Sequence, residues 1–156
     1  MKKINGSQLF TLILITQIFG LLSNLLSGQT RQIYTALIKP PLAPPGWLFG
    51  VIWPLLYLLI GMAAYLIYQK PQTAESKIAI RLYWAQLLVN FLWPIVFFRF
   101  EWYDLAVGVI ILLDVLVAVA VIRFYNVKKI AGYLMVPYLL WILFATYLNI
   151  GVALLN

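Results

Sequence analysis

Apolar and polar positions divide the chain into five long hydrophobic runs separated by polar breaks. The first, about Gln8 to Ser27, follows Lys2 and Lys3 and contains no charged residue. Its length suffices to cross the hydrocarbon layer of a bilayer. It is too long for the apolar core of a signal peptide and no A-x-A site follows, so it reads as a retained span. The remaining runs predict helices over about 46–68, 78–98, 105–124 and 130–155. The expected fold is therefore an all-α integral membrane domain, a single bundle of five transmembrane helices over residues 1–156.

Polar and aromatic residues recur on single faces of these helices. At 100° per residue, Gln17, Gly20, Asn24 and Ser27 fall within roughly 80°, as do Tyr83, Gln86, Asn90, Trp93 and Phe97, and Tyr138, Trp141, Ala145 and Asn149. Trp53, Tyr57, Gly61, Ala64 and Tyr68 fall within roughly 60°. Such stripes face protein rather than lipid, either to pack and hydrogen-bond neighbouring helices or to line a cavity. The fourth run is almost wholly Val, Leu, Ile and Ala, but holds Asp114 near its middle. A carboxylate at that depth is costly unless paired, so Asp114 marks an interior contact, functional or structural. Pro54, Pro94 and Pro137 interrupt three of the runs and predict kinks. Trp53 and Trp93 directly precede the first two, and Trp141 follows the third by one turn.

The break between the first two helices is of another kind. From Gly28 to Pro45 the chain is polar and then proline-rich, ending in KPPLAPPGWLFGVIW from Lys39 to Trp53. Pro40, Pro41, Pro44 and Pro45 fix φ and remove donors, which predicts a stiff, turn-rich loop with neither helix nor inner strand. Irregular backbone cannot sit in lipid, so the loop lies at the surface or plugs a cavity. It passes directly into Gly46, Trp47, Phe49 and Trp53, like a lid closing on the aromatic mouth of a helix.

Composition supports the membrane reading, with 65% hydrophobic and 10% charged residues. The eleven Lys and Arg against four Asp and Glu reflect topology and anionic lipid, since no basic face with soluble periodicity exists to hold nucleic acid. Eight of the eleven (Lys2, Lys3, Lys70, Lys77, Arg81, Arg123, Lys128 and Lys129) fall on the N-terminal side, and Arg31, Lys39 and Arg99 on the other. The positive-inside rule predicts a cytoplasmic N-terminus, with the proline-rich loop outside. Trp102 and Tyr103 read as interfacial anchors. The absence of His and Cys excludes Ser-His triads, thiolate chemistry and the usual zinc or haem-iron ligands, so no metal site is expected. Tryptophans beside prolines, nearby amides and a stiff loop together suit a flat, largely apolar ligand fixed by a few polar contacts; belt and packing roles for the same rings remain the alternative.

These residues also resemble the TspO/MBR family, the tryptophan-rich sensory proteins and mitochondrial translocator protein or peripheral benzodiazepine receptor. The resemblance rests on Tyr34, on KPPLAPPGWLFGVIWPLLYLLIGMAAY (Lys39 to Tyr65), on Gln86, Asn90, Trp93, Phe97 and Phe98, and on PYLLWILFATYLN (Pro137 to Asn149). It implies a five-helix bundle, often a homodimer, in a bacterial cell membrane. It also implies binding of tetrapyrroles such as protoporphyrin IX and, in relatives, of cholesterol and isoquinoline or benzodiazepine drugs, with no cofactor required. By position it places Tyr34, Pro44, Trp53, Asn90, Asp114, Trp141 and Ala145 in a pocket beneath the loop. Tyr57, Gln86, Trp93 and Tyr138 join the candidate ligand-binding set from the helical faces. A light-dependent breakdown of protoporphyrin is attributed in bacterial relatives to the tryptophans matching Trp53 and Trp141, which makes these the candidate catalytic residues. Loop tryptophans common in the family are here Ile33 and Leu42, a departure that bears on lid contacts and ligand preference; no Lys or Arg follows Tyr147, so the cholesterol-recognition pattern is incomplete and cholesterol binding is not expected. Three readings follow: a porphyrin receptor or sensor that also degrades its ligand in light, a small proton-coupled or porphyrin transporter using Asp114, or an assembly partner without a ligand.

Overall fold

The computed structural model describes residues 5–156, so Lys2 and Lys3 lie outside the described residues. The elements are α1 (Gly6–Leu26), α2 (Thr30–Ala36), α3 (Trp47–Tyr68), α4 (Ala74–Pro94, running on into a π-wound segment Ile95–Arg99), α5 (Tyr103–Val127) and α6 (Lys129–Leu155). All but α2 are long and apolar enough to cross a membrane. No strand occurs among the described residues, and the expected five-span all-α architecture holds. The spans form a ring in the order α1, α3, α6, α5, α4 and back to α1. Ile60, Ile67, Tyr83, Phe124, Met135 and Tyr138 are fully buried in it.

The helix starts follow from local chemistry. Asn5 Oδ1 accepts from the Gln8 amide at 3.2 Å to cap α1, and Thr73 Oγ1 accepts from the Ser76 amide at 3.3 Å to cap α4, with Glu75 in the first turn. This cap starts α4 four residues ahead of the predicted 78. Ser76 is buried there because its hydroxyl reaches the Pro71 carbonyl at 2.8 Å. Polarity had marked these residues as loop. Against α3, α1 lies close where α3 carries glycine: a Cβ on Gly61 would stand 2.7 Å from Ile13 Cα. One on Gly20 of α1 would stand 2.1 Å from the Tyr57 ring.

Two features depart from expectation. The connection from Gly28 to Pro45 is not irregular throughout, because α2 occupies its polar half. Lys39 Nζ donates to the carbonyls of Tyr34 and Leu37, each at 2.9 Å, and so satisfies acceptors at the end of this short helix that would otherwise lack partners. The proline half is fastened to α6. Pro40 packs on Gly151 so closely that a Cβ there would meet its ring at 2.5 Å, and Tyr147 Oη donates to the Pro41 carbonyl at 2.7 Å. The Asn156 side chain donates to the Ile38 carbonyl at 2.9 Å and accepts from its amide at 3.0 Å.

The second departure follows Pro94. Lacking an N–H, Pro94 cannot donate to the Asn90 carbonyl, and the next turn widens, with the Phe100 amide donating to the Ile95 carbonyl at 3.2 Å. In this i→i+5 winding successive residues diverge less than in an α-helix. Phe97 and Phe98 therefore both stay on the inner side, their rings 4.7 Å apart at 69°.

Candidate functional site

Beneath α2 and the loop, the upper turns of α1, α3, α4 and α6 enclose a cavity of about 730 Å³. Trp53, Tyr57, Trp93, Phe97 and Phe98 supply its aromatic walls, Ala145, Leu148 and Val152 its aliphatic wall, and Gln17, Ser23, Asn24 and Asn149 polar points between them. Leu14, Ile18 and Leu21 line it while remaining exposed on the outer surface of the bundle. The cavity thus opens sideways between α1 and α3.

Each wall residue has a definite support. Trp93 Nε1 donates to Asn149 Oδ1 at 2.8 Å, and Asn149 Nδ2 donates to the Tyr103 carbonyl at 3.1 Å, so the indole is fixed in the wall, with the Phe97 ring tilted against it at 5.4 Å. Trp53 stacks on Tyr57 with centroids 5.5 Å apart at 28°. Gln17 Nε2 donates to the Pro54 carbonyl at 2.8 Å, bracing α1 against the proline turn of α3. The roof is tied by Tyr34, whose hydroxyl donates to the Pro44 carbonyl at 2.6 Å and whose ring meets Phe49 at 5.1 Å. Partial burial pushes the Tyr34 phenol above its usual range.

The floor is a chain of buried polar groups. Tyr57 Oη donates to Asn90 Oδ1 at 3.4 Å, Asn90 Nδ2 to Tyr138 Oη at 2.8 Å, Tyr138 Oη to Gln86 Oε1 at 2.8 Å, and Gln86 Nε2 to the Tyr83 carbonyl at 3.0 Å. Thr16 donates to the Leu12 carbonyl at 2.7 Å, so the Tyr83 hydroxyl, 2.9 Å away, is the donor to Thr16. With every member partnered, the chain is a rigid plug rather than a channel.

A model of the TspO/MBR family matches residues 12–155. The chain belongs to the TspO/MBR family. It is 37% identical over 153 residues to a tryptophan-rich protein TspO of Archaeoglobus fulgidus, covering 97% of this chain and 99% of that one. It is 32% identical over 129 residues to the human translocator protein, covering 81% and 76%. A tryptophan-rich sensory protein of Cereibacter sphaeroides is 37% identical over 123 residues, covering 79% and 76%. Like the TspO/MBR family as a whole, this is an integral, multi-pass membrane protein, of the receptor or sensor type.

Of the residues singled out in this TspO/MBR chain, Tyr34, Trp53, Tyr57, Trp93 and Ala145 line the cavity. Pro44 acts through its carbonyl on Tyr34. Asn90, Tyr138 and Gln86 belong to the floor beneath Tyr57 and do not themselves line the cavity. Trp141 does not reach the cavity: its ring packs on Phe49 at 5.8 Å, and its Nε1 is buried without a partner. Asp114 is not brought there either. It lies between α5 and α6, where Oδ2 accepts from Thr146 Oγ1 at 2.7 Å and Oδ1 is buried without a partner. The cavity also gains Arg31, Leu148 and Val152, which the sequence did not single out. Leu148 and Val152 do fall at helical spacing from Ala145, a signal that could have found them.

Proposed function

We propose that this protein binds protoporphyrin IX or a related flat tetrapyrrole in the cavity beneath α2, as a membrane receptor or sensor. The observation that carries this reading is the wall itself, in which Trp53, Trp93, Phe97 and Phe98 surround a space of about 730 Å³, a size typical of small-molecule sites. Aromatic faces suit a planar π-system, and the polar points between them orient it. What favours binding over passage is the closed floor, together with the placement of Asp114 away from the cavity. Isoquinoline and benzodiazepine compounds fit the same chemistry. Homodimerisation and a cytoplasmic N-terminus belong to the same proposal; reporter fusions at Lys3 and Asn156 should read cytoplasmic and external respectively, and the reverse pattern overturns the sidedness.

Light-dependent breakdown of the bound porphyrin, with dioxygen as oxidant, is the further part of this reading. Trp53 is the oxidisable ring facing the ligand, and Trp141 stands behind Phe49. Titration of protoporphyrin IX into protein in nanodiscs should quench tryptophan fluorescence saturably. On illumination, wild type should bleach bound porphyrin, Trp53→Phe should lose most of that activity while retaining binding, and Trp141→Phe should lose less. Bleaching equal to that of free porphyrin in all three would leave a binding protein, and absence of saturable quenching would remove the porphyrin reading.

A further inference from the structure

The three cations on the loop side of the bundle are not equivalent. Lys39 directs its ammonium onto the carbonyls of Tyr34 and Leu37, and Arg99 Nη1 donates to the Leu26 carbonyl at 3.2 Å. Among the described residues the Arg31 guanidinium takes part in neither a hydrogen bond nor an ion pair, the one ion pair being Arg123 with Glu75. Arg31 is also the one charged residue lining the cavity, beside Thr30 and Tyr34 at the loop-side rim, and no acidic residue lines it.

We propose that Arg31 reads an acidic head group on the ligand, so that the occupant is an amphiphile with a flat apolar body and a carboxylate at its edge. This rests on the proposed ligand site and specifies its chemistry. A guanidinium fork matches a carboxylate with two parallel hydrogen bonds. At the rim of an apolar, membrane-embedded cavity the attraction is screened less than on an open surface. Deeper in, a carboxylate would meet aromatic walls with no compensating charge. The ligand therefore sits body inward against Trp53 and Trp93, with its acid held at the rim. The sideways opening between α1 and α3 admits the apolar body, while the acid stays in the interfacial layer where α2 lies.

The test compares protoporphyrin IX, a diacid, with its dimethyl ester in nanodiscs of zwitterionic lipid. Wild type should bind the acid about three- to fivefold more tightly than the ester, in the range of a partly exposed ion pair. Arg31→Gln should erase that preference, Arg31→Lys should restore most of it, and added salt should narrow it in wild type. Wild type binding both forms equally overturns the inference and leaves porphyrin binding standing. A preference that survives Arg31→Gln overturns Arg31 as its source. Failure of wild type to bind either form overturns both readings together.

Discussion

In the half of the bundle away from the loop, buried polar side chains satisfy one another, whereas in the half beneath it they ring an open space. Tyr138, Gln86, Tyr83 and Thr16 form bonds of 2.7 to 3.0 Å that leave no room between α1, α4 and α6. Above Tyr57 the same helices carry Trp93, Phe97 and Leu148, whose bulk holds them apart around the cavity. The contrast is reinforced by where glycine falls. Gly61 lets α1 and α3 touch backbone to backbone, while Gly20 merely makes room for a ring that faces the cavity. The lower half stabilises the fold, and the upper half is free to serve a ligand.

Alanine at the two glycines separates these roles. Gly61→Ala sets a Cβ against Ile13 Cα, which cannot turn aside; overpacking costs about 1–3 kcal/mol, and better helix propensity returns about 1 kcal/mol. Because the atom met is backbone, the overpacking falls toward the upper part of that range, and the expected net loss of about 1–2 kcal/mol should appear as a lower thermal midpoint in detergent; an unchanged midpoint would refute the close contact. Gly20→Ala meets the Tyr57 ring, which must shift toward the cavity at the expense of its 3.4 Å bond to Asn90, taking its stacked partner Trp53 with it. Stability should fall less than in Gly61→Ala, where backbone must move, but porphyrin affinity should fall about tenfold, near 1.4 kcal/mol. Equal losses of stability in both variants would erase the division between the halves. The smallest effect is expected in the roof. Replacing Pro45 with Gly frees the loop that Tyr34 anchors, adding about 0.4–1 kcal/mol of ordering cost. The dissociation rate should rise a few-fold, and an unaltered rate would make the loop a spacer.

The five spans were legible because hydrophobic length and the 100° period depend on little beyond local sequence. The faces of Trp53, Tyr57 and Trp93 followed from the same period, and all three reach the cavity. Depth was not legible, and Asn90, Tyr138 and Gln86 share those faces yet form the floor beneath the lining residues. Nor was the side of a helix that meets a particular neighbour, which is why Trp141 stands behind Phe49 and Asp114 pairs with Thr146. The short helix α2 escaped notice because seven residues lack a hydrophobic period, and its support comes from Lys39, outside the helix. Arg31 gave no signal, since an arginine in a polar break looks like any other interfacial charge.

The π-wound turn after Pro94 makes the cavity wall a matter of chain length as much as of side-chain identity. Such a turn holds one residue more than an α-turn, so a single-codon deletion within Ile95–Arg99 would return it to ordinary winding. One aromatic would then leave the inner face, while the rest of the bundle, secured elsewhere, kept its frame. By this route a lineage could reshape the pocket through insertion and deletion at one place, leaving the buried core between the other helices unaltered.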